Sequence, residues 1–332
     1  MTVVLGIETS CDETAASVVV DGRDVRSSVV SSQIDLHVPY GGVVPEIAGR
    51  AHVQRLNPVV REALHQAGLS EDGFGVDLVA CTIGPGLIGA LLVGVSAAKA
   101  MASAWSVPFY GVNHLEAHLY SPFIDEPDLA LPLVTLLVSG GHTLLVVLTS
   151  PTDYRVIGST IDDAAGEAYD KVARFLGLGY PGGPAIDRLA PSGDPAAIAF
   201  PQAMKGDGYD FSFSGLKTSV VNYVRKHPEV STADVAASFQ AAVIGVLVHK
   251  ARKAATEFGA TGICIGGGVA ANSALRAEIQ RVCDEDDRRA LLPSKDMCTD
   301  NAAMVAAAAW WRIGVDGPTS LDAGAYPGLR LR

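Results

Sequence analysis

The order of apolar and polar positions along the first half of the chain predicts short strands followed by amphipathic helices. Five apolar runs have the length of strands, and they lie at residues 3–7, 15–20, 25–31, 77–83 and 108–112. Longer amphipathic stretches predict helices at about residues 47–67, 87–104 and from 113 onwards. Pro58 lacks a backbone N–H and should kink or split the first helix. The predicted order of elements is βββαβαβα.

The second half of the chain repeats this order. Two strands flank a glycine turn at residues 133–149, and further strands are predicted at residues 154–158, 262–265 and 290–293. Helices are predicted at residues 160–177, 233–258, 270–283 and 301–313. In the first of these helices Asp162 and Asp163 should lie in the first turn and Gly177 at the end, where acids and glycine are favoured.

Two copies of one element order indicate a duplicated α/β fold, in which helices cover a sheet in each half. We expect an N-terminal lobe at residues 1–130 and a C-terminal lobe at residues 131–300 with an insertion at about 179–230. A C-terminal helix within about residues 301–332 should pack back on the first lobe. The order resembles that of the superfamily of actin, the Hsp70 chaperones and the sugar kinases. This resemblance implies two lobes and a central cleft, the default ligand site.

Composition and charge argue against several classes of protein, including membrane proteins and proteins that bind duplex nucleic acid alone. The chain has 332 residues, of which 48% are apolar and 18% charged, which is ample material for a globular core. A formal net charge of −11 argues against broad binding of duplex nucleic acid by the chain alone. The five cysteines form no CxxC pair and predict reduced thiols in a cytosolic protein. No uninterrupted apolar run reaches about 18 residues, so the sequence predicts no membrane span.

The motif HLEAH is a candidate metal-binding segment. It places His114 and His118 four residues apart on a short predicted helix. This spacing brings both imidazoles to one face, within reach of one ion. Glu116 is rotated by roughly 200° from His114 and should point away, so the geometry of a zinc protease is not met. Two partly buried structural histidines are the alternative interpretation.

The motif CTDNAAM, before the last predicted helix, supplies a candidate third ligand in Asp300. Two histidines and one carboxylate suit Zn²⁺ or Fe²⁺. The three residues are far apart in sequence, so only the fold could bring them together. The alternative is that Asp300 caps the last helix or lies in its first turn.

Two glycine-rich segments follow predicted strands. GPGLIGALLVG matches the dinucleotide fingerprint at Gly84, Gly86 and Gly89, but Pro85 removes one donor and no acid follows about 20 residues later. Close packing of strand and helix explains these glycines better. In GGGVAANSALR the backbone could support a flat ligand, with Asn272 bonding a base or ribose edge. A helix-entry loop is the alternative for this second segment.

Asp170 and Asp187 flank a Gly/Pro turn between two predicted helices. Carboxylates placed in this way could accept hydrogen bonds from ribose hydroxyl groups. Ordinary surface acids are the alternative interpretation, because exposed carboxylates are common.

Eight motifs occur in order along nearly the whole chain. They are IETSCDET, GPGLIGALLVGVSAAKA, NHLEAH, LVSGGHT, DKVARFLGLGYPGGPAID, FSFSGLKT, GGGVAANSALR and CTDNAAM. Together they resemble the bacterial tRNA N6-adenosine threonylcarbamoyltransferase family, once described as O-sialoglycoprotein endopeptidases. The resemblance implies transfer of the threonylcarbamoyl group from threonylcarbamoyl-AMP to N6 of adenine 37, with release of AMP. The tRNAs concerned read codons that start with A.

The same resemblance implies site residues. The metal, Fe²⁺ or Zn²⁺, would be held by His114, His118 and Asp300. A phosphate-side loop and an adenosine site would be formed by Leu137, Val138, Ser139, Gly140 and Gly141, and by Asp170, Gly183, Asp187 and Asn272. Archaeal relatives carry Tyr where this chain has Leu137, so substrate oxygen or water would have to complete the coordination here.

The first predicted hairpin carries two acids of possible catalytic use. Asp12 and Glu13 are candidate proton acceptors for the reaction, because adenine N6 must lose a proton when it is acylated. Backbone N–H groups of this turn and of Ser139 to Gly141 would stabilise developing negative charge. Turn formation and solubility are the alternative roles of the two acids.

The resemblance also implies partners. These are the tRNA anticodon loop, an inactive paralogue of the same fold and a small ATPase, with no membrane involved. The acidic charge agrees with a tRNA surface that partners complete. Two other function classes remain open. A small-molecule kinase of the same fold would bind ATP and Mg²⁺ through carboxylates and need no histidine pair, and a non-catalytic partner-binding module would lack the metal residues or the adenosine site.

Overall fold

The structure of the chain is a computed structural model and describes residues 1–126 and 129–331. The chain forms two compact units. The first contains Met1–Leu129 and Thr299–Arg332, and the second contains Ala130–Cys298. Each unit has its own sheet and its own apolar core.

The first unit is built on a five-stranded mixed sheet. Its strands are β1 (Val3–Glu8), β2 (Glu13–Val20), β3 (Asp24–Ser32), β4 (Leu78–Gly84) and β5 (Phe109–Asn113). Its helices are α1 (Ile34–His37), α2 (Pro45–Gln66), α3 (Ile88–Trp105), α4 (His114–Asp125) and, from the end of the chain, α11 (Ala302–Asp316). The strand order is β3-β2-β1-β4-β5. The pairs β1/β2 and β2/β3 are antiparallel, whereas β1/β4 and β4/β5 are parallel.

The second unit has the same plan. Its strands are β6 (Leu133–Val138), β7 (Thr143–Ser150), β8 (Asp153–Ser159), β9 (Gly262–Gly266) and β10 (Arg289–Leu291). Its helices are α5 (Ala165–Phe175), α6 (Gly182–Leu189), α7 (Ser214–Lys226), α8 (Thr232–Glu257), α9 (Ser273–Glu285) and α10 (Lys295–Cys298). The strand order β8-β7-β6-β9-β10 repeats that of the first unit position by position. The predicted duplication of an α/β arrangement is therefore confirmed.

The burial of each strand explains its sequence pattern. The inner strand β4, between β1 and β5, is buried at every position and its sequence is a continuous run, LVACTIG. A strand covered on both faces excludes water from both, so alternation disappears. The edge strand β3, DVRSSVVSS, has exposed or half-exposed residues at eight of its nine positions, and its sequence is correspondingly mixed.

Helix α11 packs directly on the sheet of the first unit. A Cβ built on Gly6 of β1 would overlap the carbonyl oxygen of Ala302 and lie 2.9 Å from the backbone nitrogen of Ala306. The first eight residues of the helix are all buried, and six of them are alanine. Small side chains on both elements thus allow the backbones to approach closely. The last helix in the second copy of the element order therefore completes the first unit.

Two local predictions need correction. Helix α2 is not split at Pro58 and continues to Gln66, because this proline is exposed and the carbonyl group that loses its partner can bond to water. Helix α5 begins at Ala165, so Asp162 and Asp163 precede it and do not form its first turn. Asp162 instead accepts hydrogen bonds from the backbone N–H groups of Phe213 (2.8 Å) and Ser214 (3.3 Å) at the start of α7.

Two helices of the described chain are long and apolar enough to cross a membrane by length and composition alone. They are Ile88–Trp105 and Thr232–Glu257, and two thirds of the apolar window in the second helix is buried inside the protein. Core helices of soluble proteins pass the same test. These two helices therefore do not indicate a membrane protein.

Candidate active site

Helix α4 carries the two histidines of HLEAH on one face at its start. The Asn113 side chain accepts hydrogen bonds from the backbone N–H groups of Leu115 (2.9 Å) and Glu116 (3.3 Å). This cap makes the helix begin at His114. One turn later lies His118, with the two ring centroids 5.0 Å apart and the ring planes at 81°. Both side chains are buried.

Asp300 lies just before α11 and faces both histidines. Its Oδ1 is 3.4 Å from Nε2 of His114 and 3.4 Å from Nε2 of His118. The cap of α11 is Asn301, whose side chain accepts the backbone N–H of Met304 at 3.0 Å. The alternative role of Asp300 as a helix cap or first-turn acid is therefore wrong. One ligand atom from each of the three side chains lies within 4.8 Å of the others, so together they could hold a metal ion.

The chemistry of this cluster fits a cation. A separation of 3.4 Å is long for a hydrogen bond. Among the described residues, neither ring nitrogen of His118 has a hydrogen-bond partner, although the side chain is only 2% exposed. A buried polar atom without a hydrogen-bond partner lowers the free energy of unfolding, and a bound cation would supply a partner for Nε2. Two neutral imidazoles and one carboxylate also supply the donor set that divalent transition metals prefer.

Glu8, at the end of β1, stands behind His114 and was not predicted from the sequence. Its carboxylate is fully buried. Oε2 accepts hydrogen bonds from Nδ1 of His114 (3.0 Å) and from the hydroxyl of Thr82 (2.6 Å), and Oε1 accepts the backbone N–H of Ser10 at 2.5 Å. The available signal was the placement of one acid at the end of the apolar run VVLGIE. A buried strand tolerates a carboxylate only when it is paired.

Opposite charges set the ionisation of this cluster. Burial alone would raise the pKa of Asp300, but the positive charge of His114 outweighs it and holds that pKa well below its usual range. Burial likewise opposes ionisation of Glu8, yet the charge of His114 and its hydrogen bond leave the pKa of Glu8 lowered. The protein alone thus keeps two carboxylates ionised around one imidazole. Two anions, Glu8 fully buried and Asp300 partly exposed, are a favourable setting for a cation.

Glu116, the third polar residue of HLEAH, points elsewhere as predicted. Its Oε1 lies 3.4 Å from Nε of Arg312 on α11. The carboxylate of Glu116 therefore belongs to an ion pair between α4 and α11. It does not occupy the place of the general base in a zinc protease.

The β1–β2 turn presents Asp12 and Glu13 in half-buried positions. His52 on α2 holds this turn, because its Nε2 donates to the carbonyl of Cys11 (3.0 Å) and its Nδ1 accepts from the hydroxyl of Thr14 (2.8 Å). Burial raises the pKa of Glu13 to about 9, and the negative charge of nearby acids adds to that rise. In the protein alone, Glu13 therefore holds its proton at neutral pH and is poorly suited to accept another.

The second unit contains a cavity of about 420 Å³. Five of the residues predicted to bind substrate lie in its wall, namely Gly140, Asp170, Gly183, Asp187 and Asn272. The wall also contains Gly268, from the segment GGGVAANSALR on which a flat ligand was expected to lie. Lining residues that were not predicted are Gly166, Tyr169, Pro181, Pro184, Arg188, Val269 and Ala271. The volume is in the range of small-molecule and cofactor sites, roughly 300–1,000 Å³.

The two acids of the cavity also hold the ends of neighbouring helices. Asp170 Oδ1 accepts the backbone N–H of Gly182 at 2.7 Å, at the start of α6. Asp187 accepts the backbone N–H (3.0 Å) and the hydroxyl (2.8 Å) of Ser273, at the start of α9. A carboxylate has about four acceptor positions, so each acid retains capacity for a ligand hydroxyl. Burial raises the pKa of Asp170, against the hydrogen bond from Gly182.

Asn272 occupies a different position from the one predicted. The predicted helix at residues 270–283 would include Asn272, but α9 begins at Ser273 and Asn272 is its N-cap. Its Oδ1 accepts the N–H of Leu275 at 2.9 Å, and its Nδ2 donates to Gln240 at 2.7 Å. The side chain is thus held in one orientation in the cavity wall. Its second amide hydrogen and a remaining oxygen lone pair are the atoms it can still offer a ligand.

The segment predicted as a phosphate-side loop is split between a strand and a turn. Leu137 and Val138 belong to β6 and their side chains are buried. The N–H of Ser139 donates to the carbonyl of His142 at 2.8 Å, which closes the turn and occupies that donor. Of the five predicted loop residues, Gly140 lines the cavity.

Of the three fingerprint glycines in GPGLIGALLVG, Gly84 and Gly86 serve close packing, whereas a Cβ on Gly89 would meet nothing within 4 Å. A Cβ on Gly84 would overlap the carbonyl oxygen of Tyr326, and one on Gly86 would lie 2.5 Å from the carbonyl oxygen of Ser10. The N–H of Gly86 donates to the carbonyl of Pro327 at 3.2 Å. The C-terminal segment and the β1–β2 turn therefore occupy the space that a dinucleotide would need.

The repeated fold, the candidate metal site and the cavity together are typical of an enzyme with a metal centre and a small-molecule site. The two units repeat one five-stranded sheet order. The first carries a cluster of histidine and carboxylate side chains suited to a metal, and the second carries a cavity with two acids. The family model TsaD, described as tRNA N6-adenosine threonylcarbamoyltransferase, matches residues 24–307. The chain belongs to this family.

Similar proteins support this assignment along the whole chain. A tRNA N6-adenosine threonylcarbamoyltransferase of Symbiobacterium thermophilum is 53% identical and covers 99% of this chain and 96% of its own length. One from Anaeromyxobacter dehalogenans is 53% identical and covers 100% of both chains. The resemblance and the transferase activity predicted from the sequence are thereby confirmed, and the kinase and non-catalytic alternatives are not favoured.

The solved structures show the fold. HypF of T. kodakarensis matches with a TM-score of 0.66 at 18% identity, over 94% of this chain and 48% of HypF. At that identity the likeness concerns the fold alone. It confirms the predicted fold class.

Proposed function

We propose that this chain transfers the threonylcarbamoyl group from threonylcarbamoyl-AMP to N6 of adenine 37 in tRNAs that read codons starting with A. A bond forms between N6 and the carbamoyl carbon, and the bond from that carbon to the phosphate oxygen breaks. AMP leaves and N6 loses one proton. The observation that carries the proposal is the cluster of His114, His118 and Asp300 in a member of this family.

The metal is Fe²⁺ or Zn²⁺, held by His114, His118 and Asp300. Both ions accept two imidazoles and one carboxylate. When bound, such an ion supplies positive charge that polarises the carbamoyl carbonyl and offsets the charge on the departing phosphate. The orphaned Nε2 of His118 and the ionised Asp300 support this assignment. The three side chains bind the metal ion directly, and α4 and the start of α11 hold these side chains in place.

The cavity of the second unit binds the adenosine part of threonylcarbamoyl-AMP. Asp170 and Asp187 accept hydrogen bonds from the ribose hydroxyls through their remaining lone pairs. Gly183 and Gly140 leave the wall free of side chains, so the nucleoside can lie against the backbone. Gly141 extends the same turn beside the phosphate. Asn272, fixed by Gln240, presents its amide to the base.

Asp12 accepts the proton that N6 loses. Of the two acids proposed for this step, Glu13 is the less suitable, because burial first and neighbouring negative charges second raise its pKa to about 9. Oε1 of Glu13 instead accepts a hydrogen bond from the hydroxyl of Ser32 at 3.4 Å. N6 of adenine is a weak nucleophile, so correct placement supplies most of the rate gain.

The chain works in the cytoplasm with partners. Its net charge of −11 disfavours a large tRNA-binding surface of its own. An inactive paralogue of the same fold and a small ATPase supply the remaining contacts with the tRNA. The anticodon loop presents adenine 37 as an unstacked base, as single-stranded RNA readily does.

A transfer assay tests the proposed function. The purified chain, with and without the paralogue and the ATPase, is mixed with unmodified tRNA and threonylcarbamoyl-AMP, and the nucleosides are analysed by mass spectrometry. Threonylcarbamoyladenosine should form with the wild type and not with the His114→Ala/His118→Ala double variant. Product from both proteins would remove the metal from the account, and no product with every partner present would contradict the transfer itself.

A further inference from the structure

Glu8 is the most deeply buried charged group of the first unit that the proposed chemistry leaves unused. It lies at the carboxyl end of β1, and its exposed fraction is 0%. Three donors converge on its two oxygens, namely the N–H of Ser10, the hydroxyl of Thr82 and Nδ1 of His114. A carboxylate surrounded by donors acts only as an acceptor.

This arrangement fixes which ring nitrogen of His114 carries hydrogen. Nδ1 lies 3.0 Å from Oε2 of Glu8, so a hydrogen atom must lie between them. The other ring nitrogen, Nε2, lies on the side of Asp300, where the candidate metal ligands meet, and offers its lone pair there once a cation displaces its proton. The hydroxyl of Ser10 is also near Nδ1, at the longer distance of 3.3 Å. His118 has no comparable partner for its Nδ1 among the described residues.

We propose that Glu8 is a positioning residue for the metal centre: it holds His114 as the Nδ1–H tautomer and aims Nε2 at the ion. This inference rests on the metal site of the proposed function. Thr82 and Ser10 in turn keep the carboxylate of Glu8 in its orientation. Carboxylate groups behind metal-bound histidines raise the basicity of the ligand and restrict its rotation.

The three donors around Glu8 explain why a carboxylate is needed at this position. Both oxygens of Glu8 accept, whereas a glutamine offers only one acceptor oxygen and places an NH₂ group against a donor. Glu8→Gln should therefore weaken binding of metal by about tenfold or more while it keeps nearly the same volume. Glu8→Ala should weaken it further, and Thr82→Val, which removes one of the three donors, should have a smaller effect in the same direction.

The chain offers a matched control on the same helix as the ligands. Glu116 is also a buried acid and lies two residues from His114, but it pairs with Arg312. Glu116→Gln removes a buried charge of the same type without touching Nδ1 of His114. Its affinity for metal should stay within about twofold of the wild type.

The test uses the metal-free full-length chain and Zn²⁺ alone, in competition with a chelator of known affinity, for the wild type and for each variant. A ¹⁵N spectrum of the histidine rings in the Zn²⁺-saturated chain, with His114 assigned by substitution, reads the tautomer directly. Thermal unfolding of each variant establishes that the variants are folded.

The expected result is one Zn²⁺ per chain, at least tenfold weaker binding by Glu8→Gln, unchanged binding by Glu116→Gln, and an Nδ1–H signal of His114 that is lost or shifted in the Glu8 variants alone. Equal affinity of Glu8→Gln and the wild type would overturn the role of Glu8 while the metal site stands. Failure of the wild type to bind Zn²⁺, or equal binding by the His114→Ala/His118→Ala variant, would overturn the metal site and the role of Glu8 with it.

Discussion

Gly6 of β1 lies directly beneath Ala302, the first residue of α11, with no room for a side chain between them. Asp300 is two residues before Ala302, so this close approach also fixes the position of a metal ligand relative to the sheet. Glu8, which supports His114, is two residues after Gly6 on the same strand. One backbone contact thus sets the spacing of two parts of the candidate metal centre.

Gly6→Ala should displace α11 and loosen the metal centre. The added methyl group would overlap backbone atoms of Ala302 and Ala306, which cannot move aside as a side chain can. We expect a loss of about 1–3 kcal/mol in the free energy of unfolding and weaker binding of Zn²⁺. Urea unfolding and metal competition measure the two effects.

The control is Gly89→Ala on α3, where an added Cβ would meet nothing within 4 Å. This variant should be as stable as the wild type or slightly more stable, because alanine favours helices. A Gly6→Ala protein with unchanged stability and unchanged affinity for metal would contradict the proposed close packing.

Asp170→Asn should weaken the binding of adenosine by about tenfold or more. The amide can still accept the N–H of Gly182, but it loses the charge that strengthens a hydrogen bond from a ribose hydroxyl. Uncharged adenosine is the suitable probe, because removal of an acid would also alter the attraction of a phosphate. Isothermal titration measures the affinity.

Glu167→Gln provides the comparison for Asp170. This acid lies on the same helix and pairs with Lys171 at 2.7 Å, and it does not line the cavity. Its variant should bind adenosine as the wild type does. Equal affinities of all three proteins would mean that the nucleoside does not contact Asp170.

Asp12→Asn should abolish transfer while it leaves metal binding intact. An amide cannot accept the proton of N6, so the rate should fall by about 10² or more. Glu13→Gln, by contrast, should retain much of the rate, because Glu13 already holds a proton near neutral pH. Single-turnover rates with saturating partners distinguish the two. A larger loss from Glu13→Gln than from Asp12→Asn would reverse the two assignments.

Asp163→Asn should lower stability at neutral pH and have little effect in acid. Burial would raise the pKa of Asp163, but the ammonium groups of Lys217 (2.6 Å) and Lys171 (3.0 Å) outweigh it and leave the pKa lowered. Stability from such a group is present above the unfolded pKa of about 3.9 and is lost as the pH falls through the folded value. We expect a cost of about 0.5–1 kcal/mol at pH 7.

Urea unfolding of the wild type and of Asp163→Asn at neutral pH and near pH 3 tests this dependence. The exposed Asp284, replaced by Asn, serves as the control and should give no difference at either pH. If the difference in the free energy of unfolding between the wild type and Asp163→Asn is larger in acid than at neutral pH, the stabilising role of the ion pairs is contradicted.

Local signals explain what could be predicted from the sequence. Strands and helices leave periodic patterns, and their repetition indicated the duplication that the strand orders show. The relation of His114 and His118 is also local, because it depends only on a spacing of four residues in a helix. Asp300 is far from both histidines in the sequence. Its motif made it a candidate ligand, and the resemblance to a family assigned it to the same site.

Contacts between distant segments explain what was missed. Glu8 meets His114 across 106 positions, and no local pattern reports that pairing. In the sequence Asp162 resembles a first-turn acid of α5. In the structure it accepts the backbone N–H of Phe213 at the start of α7, about fifty residues away. Asn301 and Asp300 are adjacent residues that can both cap helices, and only the backbone path shows which one does.

His114, His118 and Asp300 should together hold one metal ion that the transfer reaction requires. The most direct measurement is the rate of threonylcarbamoyladenosine formation while Fe²⁺ or Zn²⁺ is added stepwise to the metal-free chain with its partners, tRNA and threonylcarbamoyl-AMP present. We expect no transfer without metal, a rise in rate that ends at one equivalent of metal per chain, and no rise for Asp300→Ala. Full activity of the metal-free wild type would contradict it.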